Sequence, residues 1–171
     1  MRSFDEYRCP EVPAYLLVLL RVFFGAFFIS SSWSKLKGGW LRTPVTLVEP
    51  TARPMLVTIL DQFVHANPYP LYKRFLLYVV IPWVGIFRYV IVFGEMLIGL
   101  SLLTGTLTRI GALFGIFANM NYLAMKGFRS PEAGIDQAFI VGLIVVLLGN
   151  AGRISGIDAI LRKMLPNFPL V

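Results

Sequence analysis

Long runs of apolar side chains dominate the chain and predict membrane-spanning helices. Four runs cover about residues 14–33, 83–103, 108–126 and 134–150. At about 1.5 Å per residue, a helix of roughly 20 residues matches the hydrocarbon core of a bilayer, and the last run is at the short end of the spanning range. The pattern predicts an all-α integral membrane four-helix bundle that forms one domain over residues 1–171.

Three shorter segments have the one-sided apolar pattern of amphipathic helices, at about residues 54–66, 70–81 and 155–165. The first two lie in the long connection between spans one and two, where an NPYP sequence at 67–70 separates them. A proline breaks the helix before it, because its ring clashes with the preceding turn. We expect all three helices to lie in the membrane interface or against the bundle.

The composition supports the bilayer as the main environment. Hydrophobic residues make up 57% of the chain and charged residues 15%, against roughly 45–50% and about 25% in soluble domains. The net charge of +7 is scattered between the apolar runs, so we expect no nucleic-acid partner. The membrane side with the long connection has eight basic residues and the opposite side has six. Because basic residues favour the cytoplasmic side, this small excess favours a cytoplasmic long connection only slightly. A cleaved signal peptide is the rival interpretation of the first run, although Arg21 interrupts its apolar core.

The chain lacks the residues that would hold a redox centre. Its one cysteine, Cys9, and one histidine, His65, exclude an internal disulfide, a thiolate cluster and bis-histidine haem ligation. There is no GxGxxG or P-loop sequence. We therefore expect no haem, flavin or metal to be held by this chain, and any electrons must come from partner subunits.

Ionisable residues inside the apolar runs are the candidate functional groups. Measured along alternating helices, Arg21 and Glu95 lie about 10 and 12 Å from the same membrane side, so we expect them to pair. One interpretation is a structural ion pair that fixes helix register. The other is a proton-accepting carboxylate at Glu95, kept ionised by Arg21, beside a quinone or substrate.

A second polar layer is predicted deeper in the bundle. Arg88 and Asp136 are the expected pair there, with snorkelling of Arg88 to the interface as the alternative. Aromatic walls, together with a carboxylate and an arginine at one depth, predict a membrane pocket for a quinone. The residues expected to line it are Arg88, Trp33, Trp83, Asn119 and Tyr122.

Small residues predict where helices approach closely. Gly111 and Gly115 form a GxxxG pattern in the third run, and Arg21, Gly25, Phe28 and Ser32 share one stripe of the first. We expect that stripe to face the bundle.

Three stretches resemble the DoxX/DoxD family: residues 19–41, 93–125 and 149–161, with Arg21, Lys35 and Glu95 among the matching positions. The resemblance implies a four-helix protein of the prokaryotic plasma membrane. For the DoxD branch it implies a subunit of thiosulfate:quinone oxidoreductase, partnered by a smaller DoxA subunit and a terminal quinol oxidase.

The sequence thus predicts a quinone-proximal membrane subunit in which Glu95 exchanges protons. The alternative is a non-catalytic scaffold or assembly subunit of a larger respiratory or photosynthetic redox complex. A small transporter is less favoured, because no broken helix or inverted repeat is evident.

Overall fold

The computed structural model describes residues 13–41, 60, 63–65, 67–128, 130–131 and 133–164, and this part of the chain contains helices and no strand. In chain order the elements are α1 (Ala14–Lys37), α2 (Pro70–Phe75), the π-helix π1 (Leu76–Val80), α3 (Val84–Thr104), α4 (Thr108–Lys126), α5 (Ala133–Leu148), α6 (Ala151–Ile154) and α7 (Ile157–Met164).

The four predicted spans correspond to α1, α3, α4 and α5. These helices pack in a ring in which α1 contacts α3 and α5, and α4 contacts α3 and α5. Their ends match the apolar runs to within a few residues. The main difference is at α1, which continues to Lys37. Basic side chains in a last turn interact favourably with the helix dipole, which accounts for the extension.

Helices α1 and α3 touch through their backbones at a pair of glycines. A Cβ added to Gly25 would lie 2.8 Å from the Leu103 nitrogen, and one added to Gly99 would lie 2.9 Å from the Gly25 oxygen. Further along, Ser32 Oγ donates to the Val92 carbonyl at 2.8 Å. These contacts fix the antiparallel register of the two helices.

Small residues of α4 and α5 allow close packing, and Gly111 and Gly115 of α4 do so as predicted. Gly111 lies against Ser101 of α3, Gly115 lies against Leu143 and Phe28, and Gly142 lies against the Phe24 ring. The buried apolar core around them includes Phe24, Phe28, Ile98, Leu102, Phe139 and Leu143. The inward stripe predicted for the first run is confirmed, since Arg21, Gly25, Phe28 and Ser32 are all buried.

A second apolar cluster covers the end of the ring where α1 finishes. Its buried residues are Trp40, Leu60, Val64, Leu76, Val80, Val84 and Val92. Leu60 and Val64 come from the predicted helix at 54–66, and they are buried on the face that the pattern assigned to apolar contact. Most of that predicted helix lies outside the described residues.

The predicted helix at 70–81 is divided in the structure. The α-helical turn of α2 passes directly into π1, where the Ile81 N–H donates to the Leu76 carbonyl at 2.9 Å. Pro82 follows, and a proline ring would crowd the carbonyl four residues earlier in a regular α-helix. The wider π turn relieves this crowding. The predicted C-terminal helix at 155–165 is observed as α7, preceded by the short α6.

Two helices, α1 and α3, are long and apolar enough to cross a bilayer, while α5 is apolar but has 16 residues. Helix α4 has 19 residues but carries Arg109, Asn119 and Asn121. Large apolar side chains cover the outward faces of all four helices, among them Leu19, Leu97, Phe117 and Leu148. Such a surface suits lipid contact better than water.

Candidate functional site

The site is built around Glu95 in the middle of α3. Its side chain is 3% exposed. Lys35 Nζ and Ser31 Oγ of α1 donate to Oε2, the hydroxyl at 3.1 Å, and Tyr122 Oη of α4 donates to Oε1 at 2.5 Å. Three helices therefore meet at one buried carboxylate. We call Ser31, Lys35, Glu95 and Tyr122 the Glu95 cluster.

Lys35 reaches the carboxylate because of helix geometry. Side chains on a helix tilt toward its N-terminus, so Lys35 reaches back one turn, where its Nζ donates to Ser31 Oγ at 2.8 Å. The ammonium lies 5.6 Å from the centre of the Trp40 ring and 5.8 Å from that of Tyr122. At these distances the ring faces attract the cation. A turn at Gly38 and Gly39, the latter with φ +78°, brings Trp40 back over the lysine.

The cluster compensates its own charge. Removing an isolated carboxylate from water costs several kcal/mol, and only an opposite charge with further hydrogen bonds offsets this cost. Glu95 has both. The lysine is 16% exposed, so the positive side of the pair faces the outside of the ring while the negative side is enclosed. The hydrogen bond from the Tyr122 phenol to the carboxylate, at 2.5 Å, has the short length of a charge-assisted O–H···O bond.

The predicted Arg21–Glu95 pair is wrong. Arg21 Nη1 donates to the carbonyls of Ala151 and Ser155, at 3.2 and 2.5 Å. The predicted depths of Arg21 and Glu95 assumed that the ends of their two helices lie in one membrane plane. In the structure Arg21 is level with Gly105, just past the end of α3, because α1 begins about two turns further out. Glu95 is level with Ser31, about 15 Å away along α1.

Arg21 belongs to a separate polar cluster at the opposite end of the ring. There the Asp158 carboxylate of α7 accepts the N–H groups of Leu107 and Thr108 at 2.6 and 2.9 Å. The Asp158 N–H in turn donates to the Gly105 carbonyl at 2.8 Å. A carboxylate at a helix N-terminus satisfies unpaired donors and complements the dipole. Asp158 therefore holds α7 against the α3–α4 turn. Nothing in the sequence pattern had indicated this role for Asp158.

The second predicted layer is also arranged differently. Lys126 Nζ donates to Asp136 Oδ2 at 2.9 Å, so the predicted Arg88–Asp136 pair is wrong. The short α4–α5 connection brings Lys126 next to Asp136. Arg88 Nη1 instead donates to the Trp40 carbonyl at 3.4 Å, with its guanidinium 5.1 Å from the Tyr89 ring. Asn119 is buried and donates to the Gly115 carbonyl of its own helix.

The predicted pocket residues are only partly brought together. Tyr122 contacts Glu95 directly. Trp33 and Trp83 are 55% and 59% exposed and face outward. Successive helical residues differ by about 100°, and inward-facing Ser32 therefore turns Trp33 away. Trp40 is the tryptophan that covers the cluster. An apolar groove of about 610 Å³ lies along the first half of α1, lined by Leu16, Leu20 and Phe23 among others, and does not reach Glu95.

Lys35 and Ser31 are absent from the candidate site residues of the sequence, and Tyr122 was placed in the second layer and not beside Glu95. The available signal was the inward stripe of α1, which continues from Ser32 to Lys35 at helical spacing. The described residues contain no group of three or more histidine, cysteine or acidic side chains able to hold a metal. His65 is exposed, and Cys9 lies outside the described residues.

The apolar outer surface and two helices of spanning length indicate a helical membrane protein. The chain belongs to the DoxX family, whose model matches residues 16–124. This match confirms the predicted DoxX resemblance and includes Lys35, Glu95 and Tyr122, whereas Asp158 lies beyond it. No curated protein and no solved structure matches the chain significantly.

Proposed function

We propose that the protein is a multi-pass subunit of a redox complex in the prokaryotic plasma membrane, and that Glu95 exchanges protons with a quinone. One observation carries the proposal: a carboxylate enclosed between apolar helices, with a phenol and an ammonium bonded to it. Buried ionisable groups in membrane helices are costly and typically mark proton or substrate paths. Lys35 takes the charge-setting role that the sequence assigned to Arg21.

The proposal includes all four long helices as spans. Helix α4 turns Asn119 inward and Phe114 and Phe117 outward. This distribution supports a lipid-facing helix whose polar groups are satisfied inside the protein. Helix α5, at 16 residues, is about 24 Å long and crosses with local bilayer thinning.

The donors of the Glu95 cluster fit a quinone headgroup. Lys35 is partly exposed, and its ammonium has three N–H donors, of which two bond Ser31 and Glu95. The third is suited to a carbonyl oxygen at the outer edge of the cluster. A bound quinone would supply the electron acceptor, which takes up protons as it becomes quinol. Lys35 would orient the headgroup and Glu95 would hold the proton at a carboxylate oxygen. Electrons would come from partner subunits, by resemblance a DoxA-like or quinol-oxidase-like protein, with thiosulfate as the donor by analogy.

The test is the Glu95→Gln variant in the complex purified gently from its native membrane. We expect quinone-coupled turnover per assembled complex to fall by about 100-fold or more, since the variant cannot carry a proton. Complex yield should remain near that of the natural protein. Thr104→Ala, an exposed position on the same helix, is the matched control. Unchanged turnover in Glu95→Gln would refute the catalytic role.

The exposed apolar surface favours a second candidate, a non-catalytic scaffold. Leu97 and Leu148 are 67% and 74% exposed, and such side chains pack equally well against a partner's helices. In a scaffold the Glu95–Lys35 pair fixes the helices. Glu95→Gln would then lower the yield of the complex and leave the activity of each assembled complex intact.

A further inference from the structure

A continuous polar stripe follows the inner face of α4 beyond the Glu95 cluster. Tyr122 and Lys126 are four residues apart, so their Cβ atoms are neighbours at about 5–6 Å. Tyr122 Oη donates to Glu95, and Lys126 Nζ donates to Asp136 in the first turn of α5. The stripe therefore links the enclosed carboxylate to the end of α4.

The outer end of this stripe is the more exposed one. The Lys126 side chain is 23% exposed and that of Asp136 is 8% exposed, against 3% for Glu95. Lys35 faces the Tyr122 ring from α1, with its Nζ 5.8 Å from the ring centre. Along α4, Tyr122 thus lies between the enclosed carboxylate of Glu95 and the Lys126–Asp136 pair near the end of the ring.

Two other directions from Glu95 are closed within the part of the chain that the structure describes, and the partly exposed edge at Ser31 and Lys35 is the one assigned to the quinone. Trp40 is 7% exposed and covers Lys35 on the side where α1 ends. Toward the Arg21 end, the interior is filled by Phe24, Phe28 and Leu102. An apolar core does not conduct protons, because it offers no donors or acceptors.

We infer that protons reach Glu95 along α4, entering at the Lys126–Asp136 pair and passing through Tyr122. The inference rests on the proposed function, which requires Glu95 to change its protonation state. The Asp136 carboxylate first takes a proton from the solvent. As the Tyr122 O–H bond breaks, the Glu95 Oε1–H bond forms, and Tyr122 regains a proton from the Asp136 carboxyl through bridging water. The phenol and the outer carboxylate therefore end unchanged. Tyr122 and Asp136 are therefore positioning and relay residues for Glu95.

The experiment follows Glu95 itself by infrared difference spectroscopy after a pH jump, on the full chain in lipid vesicles. The band of the protonated carboxyl is assigned to Glu95 by its loss in Glu95→Gln. We expect Tyr122→Phe and Asp136→Asn each to slow the appearance of this band by about tenfold or more. Asp136→Glu should restore most of the rate.

Two variants serve as matched controls. Tyr89→Phe removes a phenol on the outward face of α3, and Asp158→Asn removes a carboxylate at the opposite end. Both should keep the natural rate. Circular dichroism establishes that each variant is folded, and Tyr122→Phe tests the path independently if Asp136→Asn does not fold.

The outcomes separate the two proposals. If no carboxyl band is lost in Glu95→Gln at any pH, Glu95 does not titrate and the proposed function itself fails. If the band is present but Tyr122→Phe and Asp136→Asn keep the natural rate, only the α4 path is overturned. If Trp40→Ala changes the rate while Tyr122→Phe and Asp136→Asn do not, protons enter at Lys35, and the α4 path is again overturned.

Discussion

Lys35 forms the ion pair with Glu95 from the last turn of the neighbouring helix. Breaking a buried pair by removing one partner leaves an uncompensated charge, which is typically worth about 3–5 kcal/mol. We expect Lys35→Met to lower the free energy of unfolding by an amount near this range, reduced by the partial exposure of the lysine. The measurement is reversible unfolding in detergent.

The same pair predicts non-additivity. Adding Glu95→Gln to Lys35→Met removes the orphaned charge, so the double variant should be more stable than the sum of the single effects predicts. Lys37→Met, an exposed lysine two residues further on, is the control and should change stability little. Additive effects would mean that the two side chains do not interact.

The backbone contact between α1 and α3 predicts opposite effects at two glycines of α3. Gly99→Ala places a methyl group 2.9 Å from the Gly25 oxygen, and we expect overpacking to cost about 1–3 kcal/mol. Gly94→Ala meets no atom within 4 Å, so the better helix propensity of alanine should stabilise the protein by up to about 1 kcal/mol. Thermal unfolding of both variants shows whether each substitution raises or lowers the melting temperature. Equal changes in the two variants would count against the backbone contact.

We expect Asp158 to stabilise the α3–α4 turn locally. Asp158→Asn keeps the shape but provides one acceptor oxygen where two N–H groups now bond to a carboxylate. We expect a loss of about 1–3 kcal/mol. Hydrogen exchange at Leu107 and Thr108 should become faster, while Lys163→Ala on the exposed side of α7 should leave it unchanged. Protection that survives in Asp158→Asn would show that another group caps α4.

The buried phenol of Tyr72 leads us to expect that the free energy of unfolding depends on pH in the alkaline range. Burial raises the pKa of Tyr72 above its usual value near 10, and its hydroxyl donates to the Asn121 carbonyl at 3.0 Å. Because the pKa of Tyr72 is higher in the folded state than in the unfolded state, the neutral phenol contributes fully to the free energy of unfolding below about pH 10. This contribution is lost as the pH rises through the pKa of the folded state.

Tyr72→Phe is the comparison for this effect. The difference in free energy of unfolding between the natural protein and the variant should be constant below about pH 10 and shrink above it. A difference that stays constant through the alkaline range would contradict the prediction.

The sequence predicted the helices well because apolar length is a local property. The runs at 108–126 and 83–103 correspond to α4 and α3 almost residue for residue. It also identified Glu95 as a buried ionisable group. It did not identify the partner of Glu95, because partners depend on how far one helix slides along the next. That register is fixed by the Gly25–Gly99 contact and the Ser32–Val92 hydrogen bond, and by nothing within either helix alone.

Long side chains made the remaining predictions harder. A lysine side chain reaches about one helical turn from its own position. Lys35 and Lys126 therefore bond to Glu95 and Asp136, although residue counting along the helices did not place these pairs at the same depth. Asp158 was missed because its acceptor role depends on the fold returning α7 to a turn 50 residues earlier.

The carbonyls that bind Arg21 are 130 and 134 residues later in the chain. At roughly 5–20 residues per second, a ribosome finishes those partners several seconds to tens of seconds after the arginine has been made. During this delay the guanidinium needs water or phospholipid headgroups as temporary ligands, which would hold the first helix shallow in the bilayer. Seating of α1 at its final depth would then be among the last events of biogenesis, after the C-terminal helices emerge.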